Sequence, residues 1–355
     1  MRWHLYCRVV DNFGDIGVAW RLAANLASRG EDVRLAVDDA SALAWMAPGG
    51  AERVEVRAWT DVARRSPDVV LELLGGGIPD EVAAAAANAA RPPVIVNVEH
   101  LSAESYVERS HGLPSPRTTA HGLPFTTWYF YPGFVDNTGG LLREPGLLDQ
   151  RHVFDGEAWL ASIGVAARPG ERRVSLFCYP NRAVAPLLEA LSEQPTIVLL
   201  APDDASEQAL AALGPSLATG GLRAVPLPRL TQADFDRLLR ACDFNLVRGE
   251  DSLVRALWAG APFVWQLYVQ ADGAHHAKLD AFLDRFLVGA PPRLSAAVRL
   301  LFSRWNGADA APLDASLLGG ELFEAWRSHC RRWRDRLAAR DDLVTQLIRF
   351  VGAKR

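Results

Sequence analysis

Cysteine is scarce in this sequence of 355 residues, and its few copies form no recognisable pattern. A structural zinc site needs closely spaced cysteine or histidine ligands, and a disulfide framework is typical of short secreted chains. The four cysteines are far apart and form no CxxC pair; they are Cys7, Cys178, Cys242 and Cys330. We therefore expect neither a zinc site nor disulfides, and a reducing compartment fits this usage best.

Long apolar runs and a dominant charge are also missing. The N-terminus carries no apolar signal segment, and no stretch is long enough to cross a bilayer. The formal net charge is -4, so the chain offers no global basic field for nucleic acid and must recognise its partners locally. Arginine greatly outnumbers lysine, a bias that a GC-rich genome explains as well as any function does, so we assign it no functional meaning. These absences indicate a cytoplasmic protein with no membrane anchor and no nucleic-acid partner.

The sequence does contain the pattern of two α/β domains. Its length exceeds that of the usual single core, and hydrophobic residues make up 49% of it. Strand-like stretches alternate with helical stripes, which predicts parallel sheets built from βαβ units. The first series of strands is predicted at residues 3–10, 33–37, 54–59, 69–74 and 94–98, with helices at 16–29 and 80–90. The second series is predicted at 174–179, 196–201, 222–227, 244–247 and 262–267, with helices at 183–191, 205–213, 233–241 and 252–259.

The limits of the two domains follow from where these patterns stop. Residues 101–150 are rich in glycine, proline and aromatic residues, which predicts long functional loops. We therefore assign residues 1–150 to an N-terminal domain and 151–325 to a C-terminal domain. An amphipathic stretch predicts a long helix over about 326–355, which is expected to pack back on the first domain.

The first candidate loop follows the first predicted strand, where ligands of open parallel sheets bind. It covers residues 11–17 and places Asp11 and Asp15 around a short turn that contains glycine. Two converging carboxylates suit the binding or deprotonation of a polar acceptor. The alternative, in which Asp15 is only a helix N-cap and Asp11 a turn residue, stays open at this point. The glycines do not form GxGxxG, which argues against a dehydrogenase.

The second candidate loop, Arg248 to Ser252, follows a predicted strand and opens the next helix. Gly249 permits a close approach of the backbone, and the amides that open the helix can hold a diphosphate. Ser252 can add a hydroxyl donor, whereas Glu250 and Asp251 suit sugar hydroxyls, ribose hydroxyls or backbone donors. A purely structural role, with Asp251 or Ser252 as the helix N-cap, is the alternative.

Five runs of the sequence resemble the bacterial elongation factor P arginine rhamnosyltransferases, in order along essentially the whole chain. They are residues 11–22 (DNFGDIGVAWRL), 97–104 (NVEHLSAE), 113–116 (LPSP), 139–144 (GGLLRE) and 248–252 (RGEDS). The resemblance implies the GT-B fold, in which two Rossmann-like doubly wound domains face each other across a cleft. It also implies an inverting glycosyltransferase that moves L-rhamnose from dTDP-β-L-rhamnose to an arginine guanidine of elongation factor P. The donor is then expected in the C-terminal domain, and the acceptor protein mainly on the N-terminal one.

The same resemblance assigns roles to individual residues. Asp15 is the expected general base, Asp11 its acidic companion and Glu250 a third carboxylate needed for activity. Among these loops, Asp251 and Ser252 are expected at the nucleotide diphosphate. The other expected substrate-binding residues are Phe13 and Gly14 in the first loop, Arg248 and Gly249 in the second, and Tyr179 and Gln232 in the nucleotide pocket.

The chemistry of a guanidine acceptor agrees with these roles. A guanidinium is protonated in water and its lone pairs are delocalised, so it is a poor nucleophile. Two aspartates can grip its planar fork, and one can accept a proton as the nitrogen attacks the anomeric carbon. The paired aspartates elsewhere in the sequence are interpreted as loop or surface residues, so we expect no metal and no other cofactor. Two alternatives stay open: another metal-independent GT-B glycosyltransferase with a different nucleotide sugar, and a non-catalytic protein that binds a nucleotide sugar.

Overall fold

The computed structural model describes residues 1–10, 13–61, 65–149, 153–269, 273–308 and 315–355. Over these residues the chain forms two compact units. Unit 1 comprises Met1–Leu147 and Leu337–Arg355, and unit 2 comprises Leu148–Arg336. Asp11, one of the predicted catalytic residues, lies outside the described residues.

The described part of unit 1 contains a seven-stranded sheet. Its strands are β1 (Arg2–Cys7), β2 (Asp32–Val37), β3 (Val54–Ala58), β4 (Val69–Leu73), β5 (Val94–Val98), β6 (Pro114–Thr118) and β7 (Pro124–Phe130). They lie in the order β3-β2-β1-β4-β5-β7-β6, and the pairs are parallel except for the antiparallel pair β6 and β7. The helices before residue 147 are α1 (Gly14–Ser28), α2 (Leu43–Met46), α3 (Asp80–Asn88) and α4 (Ser105–Ser110).

The core of unit 1 lies where α1 packs on the first strands. Trp3, Leu5 and Cys7 alternate along β1 and are fully buried, together with Ile16 and Ala23 of α1. A strand sends every second side chain to one face, whereas a helix presents a stripe with a period of 3.6 residues. Each large apolar side chain buried here contributes about 1.5–3 kcal/mol. This packing fixes the end of β1 and the start of α1, between which the first candidate loop runs.

The described part of unit 2 contains a second, six-stranded sheet. Its strands are β8 (Arg172–Leu176), β9 (Thr196–Leu200), β10 (Ala218–Thr219), β11 (Leu222–Pro226), β12 (Phe244–Arg248) and β13 (Phe263–Gln266), in the order β10-β11-β9-β8-β12-β13. The pairs are parallel except for the antiparallel pair β10 and β11. The helices are α5 (Gly156–Ser162), α6 (Val184–Leu191), α7 (Asp204–Leu213), α8 (Gln232–Ala241), α9 (Gly249–Ala259), α10 (Ala274–Phe286), α11 (Pro292–Trp305) and α12 (Gly320–Ala338), with a 3₁₀ turn at Ala315–Leu318.

The two sheets share one strand order at their centres. It is β3-β2-β1-β4-β5 in unit 1 and β11-β9-β8-β12-β13 in unit 2. The order reverses between β1 and β4, and again between β8 and β12, and such a reversal leaves a crevice at the carboxyl ends of the strands. Both candidate loops begin there, one after β1 and one after β12. The prediction of two doubly wound α/β units is confirmed.

Residues 101–150 contain more regular structure than the sequence predicts. The segment was expected to consist of long loops, but it includes α4 and the antiparallel pair of β6 and β7. Pro114 and Pro116 lie on β6, which forms the edge of the sheet. Proline has no amide hydrogen, and an edge strand tolerates that loss on its open side. The prolines of β6 therefore led to the prediction of a loop where the structure has an edge strand.

The C-terminal stretch is two helices, so the prediction of one helix over about 326–355 is wrong. Helix α12 ends at Ala338, and α13 (Leu343–Gly352) follows after a break. Asp342 caps α13 by accepting the Thr345 amide at 3.0 Å, and Arg29 of α1 donates to the Asp342 carboxylate at 2.7 Å. A side chain that caps a helix start competes with the continuous helix. From Leu337 onward the chain belongs to unit 1, where Leu347 of α13 is fully buried.

Candidate active site

The switch point of unit 2 contains a tight turn from strand to helix. Arg248 is the last residue of β12, and Gly249 is the first residue of α9. Gly249 has a φ of +65°, in the left-handed region that glycine adopts without steric cost. The indole Nε1 of Trp265, on β13, donates to the Gly249 carbonyl at 2.7 Å. The amides that open α9 therefore lie at the carboxyl edge of the sheet, where an anion binds in folds of this kind.

The hydroxyl of Ser252 closes this turn. Its Oγ accepts a hydrogen bond from the Arg248 amide at 3.0 Å and donates to the Arg248 carbonyl. A hydroxyl has a single hydrogen, so in this state Ser252 fixes the loop and does not present that hydrogen to a ligand. The N-cap of α9 is Arg248, which rules out Asp251 or Ser252 as the N-cap. Asp251 lies in the first turn, where a carboxylate interacts favourably with the helix dipole.

Arg248 brings a positive charge to the start of α9. Its guanidinium carbon lies 4.5 Å from the ring centroid of Phe177 and 4.7 Å from that of Tyr179, and Nη1 donates to the Cys178 carbonyl at 3.4 Å. The rings of Tyr179 and Tyr268 are also packed edge to face, with 5.6 Å between their centroids. These rings hold the cation through its attraction to their faces. The structure thus brings Tyr179 and Arg248 of the predicted set into direct contact.

Two residues of this aromatic group were missed by the sequence analysis. Phe177 directly follows β8, and Tyr268 lies two residues beyond the end of β13. Tyr268 is 64% exposed, although a large aromatic side chain is normally buried. For Tyr268, the signal available in the sequence was an aromatic residue directly after a predicted parallel strand, because ligands of such sheets bind at that edge.

Glu250 forms an ion pair with a lysine. The Glu250 Oε1 lies 2.7 Å from the Nζ of Lys278, on α10. The two side chains are 19% and 25% exposed, so the pair is partly shielded from water. Coulomb attraction at this distance is stronger than for a fully exposed pair, and it limits the rotamers of Glu250. Glu250 was predictable from the sequence, whereas its partner Lys278 was not.

Gln232 lies on the neighbouring helix of the same sheet edge. It is the first residue of α8, follows the N-cap Thr231, and is 9% exposed. Helix α8 is tied to α9 by a buried bidentate pair, in which Arg255 donates to the two oxygens of Asp236 at 2.9 Å and 2.6 Å. Removal of one partner from such a pair costs about 3–5 kcal/mol. The pair therefore holds the two helices that carry Gln232 and the Arg248 to Ser252 loop.

The cysteine beside the aromatic group is not suited to nucleophilic chemistry. Burial raises the pKa of the Cys178 thiol, because the thiolate is poorly solvated there. The Cys178 amide donates to the Asp203 carboxylate at 3.1 Å, and burial raises the pKa of Asp203 as well. Asp203 is the N-cap of α7, since it accepts the Ser206 amide at 2.8 Å. Both residues serve the shape of this sheet edge.

In unit 1, the loop after β1 holds Asp15 in a defined position. Asp15 is 8% exposed, and its Oδ2 accepts the amide hydrogen of Val10 at 2.7 Å. The N-cap of α1 is Phe13, so Asp15 is not merely a helix N-cap. The rings of Phe13 and Trp45 are packed edge to face, with 5.1 Å between their centroids, and Gly14 is the first residue of α1. The carboxylate is thus fixed at the carboxyl end of β1.

A glycine-rich loop lies on the other side of the unit 1 switch point. Gly75 and Gly77 have φ values of +67° and +78°, and a Cβ on Gly76 would meet the Arg8 amide nitrogen at 3.2 Å. The loop is held by Glu72 of β4, which accepts the Gly77 amide at 3.1 Å and an Arg117 hydrogen bond at 2.7 Å. The backbone of this glycine-rich loop therefore lies close to the Arg8 amide at the end of β1, a contact that was not predicted from the sequence.

Two properties of the described residues bear on metals and membranes. Within them, no group of three or more histidine, cysteine, aspartate or glutamate residues is arranged to hold a metal ion. No helix in the part of the chain that the structure describes is both long enough and apolar enough to cross a bilayer.

Two doubly wound α/β units, with a strand-to-helix turn that can receive an anion in the second, are the architecture of the GT-B fold. The solved structure of spinosyn rhamnosyltransferase SpnG has this fold. Its TM-score with this chain is 0.54 at 16% identity, over 99% of this chain and 100% of that one. The similarity at this identity is one of fold.

The chain belongs to the EarP family of elongation-factor P (EF-P) rhamnosyltransferases, whose family model matches residues 3–352. A protein-arginine rhamnosyltransferase of Pseudomonas aeruginosa is 40% identical over 378 residues, which cover 99% of this chain and 98% of the relative. A solved structure concerned with EarP-mediated arginine glycosylation of translation elongation factor EF-P is 30% identical, with a TM-score of 0.68 over 100% of this chain and 99% of that one. The predicted family, fold class and enzyme class are confirmed.

Proposed function

We propose that this protein transfers L-rhamnose from dTDP-β-L-rhamnose to an arginine guanidine of EF-P, with inversion at the anomeric carbon. The observation that carries the proposal is the family match over residues 3–352, joined to 40% identity with a protein-arginine rhamnosyltransferase. The relatives act on a translation factor, so we also propose that the protein works in the cytoplasm. The geometry of each unit supports the proposed roles of individual residues, except that of Asp11, which lies outside the described residues.

Unit 2 is proposed to bind the nucleotide sugar at the start of α9. The amides after Gly249 and the guanidinium of Arg248 provide hydrogen bonds and positive charge for the diphosphate. Tyr179 supports the proposal because it holds Arg248 at 4.7 Å and offers an aromatic surface at the same sheet edge. Ser252 keeps the turn in shape, and exchange of its bond to the Arg248 carbonyl would let it donate to the diphosphate. Gln232 and Asp251 are proposed to complete the contacts with the nucleotide.

Unit 1 is proposed to activate the acceptor. The arginine nitrogen forms a bond to the anomeric carbon while the bond from that carbon to the diphosphate oxygen breaks, and dTDP leaves. A proton must leave the attacking nitrogen, and Asp15 is the proposed acceptor, since its carboxylate is already oriented by the Val10 amide. Asp11 is proposed to grip the guanidinium with it, and Phe13 and Gly14 to shape the acceptor side. A single displacement inverts the configuration, so a β-linked donor gives an α-linked product.

The charges that accompany this step are proposed to come from the protein itself. Positive charge that develops on the sugar ring is stabilised by a nearby carboxylate, the role proposed for Glu250. Negative charge on the departing diphosphate is stabilised by Arg248 and the amides of α9. We therefore propose that the reaction needs no metal ion and no other cofactor.

Intact-mass analysis of EF-P tests the proposed function. EF-P is incubated with the protein and dTDP-rhamnose, and a mass increase of one deoxyhexosyl group is expected. An EF-P variant with the modified arginine replaced by lysine serves as control and should keep its mass. A mass increase with a UDP-sugar but not with dTDP-rhamnose would favour another glycosyltransferase. Binding of dTDP without any transfer would favour a non-catalytic nucleotide-sugar protein.

A further inference from the structure

Lysine is a rare residue in this chain. Of its 38 lysine and arginine residues, two are lysines, Lys278 and Lys354. Lys354 has a structural place, because its ammonium lies 3.6 Å from the ring centroid of Trp128 and 5.2 Å from that of Phe350. Lys278 instead pairs with a carboxylate of the candidate site. A chain that, apart from Lys354, uses arginine where it could use lysine thus has a lysine at this position.

The position of Lys278 explains why a compact cation suits it. An ammonium is a point charge with three donors, whereas a guanidinium is a broad planar fork. The Lys278 Nζ lies 2.7 Å from Glu250, the second residue of α9, and both side chains are mostly buried. A planar guanidinium in its place would meet the Glu250 carboxylate with a different hydrogen-bond geometry.

The start of α9 also has a charge conflict that Lys278 relieves. Glu250 and Asp251 are successive carboxylates in the first turn of a helix that is proposed to receive a diphosphate. Two neighbouring carboxylates repel each other, which disfavours a fixed position for either. A cation paired with Glu250 offsets that repulsion, and it removes rotameric freedom from a flexible side chain.

We propose that Lys278 is a positioning residue that holds the Glu250 carboxylate in place beside the sugar and offsets its charge. The inference rests on the proposed function, in which Glu250 stabilises the developing charge on the sugar ring. Lys278 acts through Glu250 and not through its own contact with the nucleotide. Its loss therefore misplaces a catalytic carboxylate and leaves the diphosphate-binding turn intact.

Steady-state kinetics of Lys278→Met test this inference. We expect kcat to fall on the order of 10- to 100-fold, the size typical of a displaced catalytic group, with the dissociation constant for dTDP changed less than about threefold. Lys278→Arg should recover part of the loss, because it keeps the charge but not the compact shape. Lys354→Met removes the other lysine and should leave kcat unchanged, and thermal unfolding of each variant checks that the fold is intact.

The double variant Lys278→Met with Glu250→Gln separates this role from the alternatives. If Lys278 acts through Glu250, its substitution should change kcat little once Glu250 is replaced. Equal loss in both backgrounds would place the ammonium on the substrate and overturn the inference, as would a Lys278→Met variant with normal kcat. Wild-type protein that fails to modify EF-P would instead contradict the proposed function itself.

Discussion

Replacement of Asp15 by asparagine tests the proposed general base with little change to the loop that holds it. Asparagine has the same shape, and its Oδ1 can still accept the Val10 amide that Asp15 accepts at 2.7 Å. The neutral amide cannot take a proton from the attacking nitrogen. General-base catalysis contributes about 10²–10⁴-fold, so we expect kcat to fall by that factor, which corresponds to about 3–5 kcal/mol in the barrier.

The assay compares transfer and binding in the same variant. Transfer to EF-P is followed by intact mass, and dTDP binding by calorimetry; binding should change by less than about twofold because the variant leaves unit 2 untouched. Asp39→Asn is a matched control, since the exposed Asp39 also accepts a backbone amide, from Ser41 at 2.8 Å. A turnover of Asp15→Asn close to that of the wild type would refute the assignment of the base. An equal loss in Asp39→Asn would show a general effect of charge.

Three further predictions concern the diphosphate site, the independence of the reaction from metal ions, and the stability of the protein at low pH. Arg248→Met should raise the dissociation constant for dTDP by about 10- to 100-fold, since charged hydrogen bonds contribute about 1.5–3 kcal/mol. An unchanged dissociation constant in calorimetry would show that the diphosphate does not bind at Arg248. Transfer should persist in excess EDTA, and loss of activity in EDTA with recovery in magnesium would contradict the proposed scheme. The product should be α-linked, and a β linkage detected by NMR would contradict the proposed inversion. Burial, reinforced by Arg34 and Arg2, lowers the pKa of His4 from 6.5 to about 4, so the unfolded state binds more protons between these values and stability falls as the pH drops. The contribution of His4 should lower the free energy of unfolding, measured with urea, by about 2 kcal/mol between pH 7 and pH 5. His4→Gln should lack that part of the pH dependence, and identical pH profiles of the two proteins would refute the prediction.

The sequence predicted the βαβ framework because its elements depend on local patterns. Strand alternation and helical stripes located β1, α1 and β12 to within a few residues, and the loops between them followed. Local patterns do not report competition between structures. The break before α13 depends on Asp342 as a helix cap and on Arg29 from a distant helix, so periodicity alone extended one helix through it.

The candidate site was predictable to the level of its loops and not of its contacts. Position after a strand identifies Asp15 and the turn at Gly249, because the carboxyl edge of a parallel sheet is set by topology. The contact of Arg248 with Phe177 joins distant parts of the sequence. The pair of Lys278 with Glu250 joins residues 28 positions apart. Such contacts depend on packing between elements, for which a single sequence gives no spacing rule.

The place of α13 in unit 1 has a consequence for biosynthesis. The ribosome completes residues 1–147 early, yet Val344, Leu347 and Val351, which are fully buried in the core of that unit, emerge only after all of unit 2. Until then the nascent unit 1 exposes the apolar surface that these side chains later cover, and unit 2 is free to fold first. A fragment that stops before α13 therefore exposes part of an apolar core, and transiently exposed apolar surface of this kind promotes aggregation.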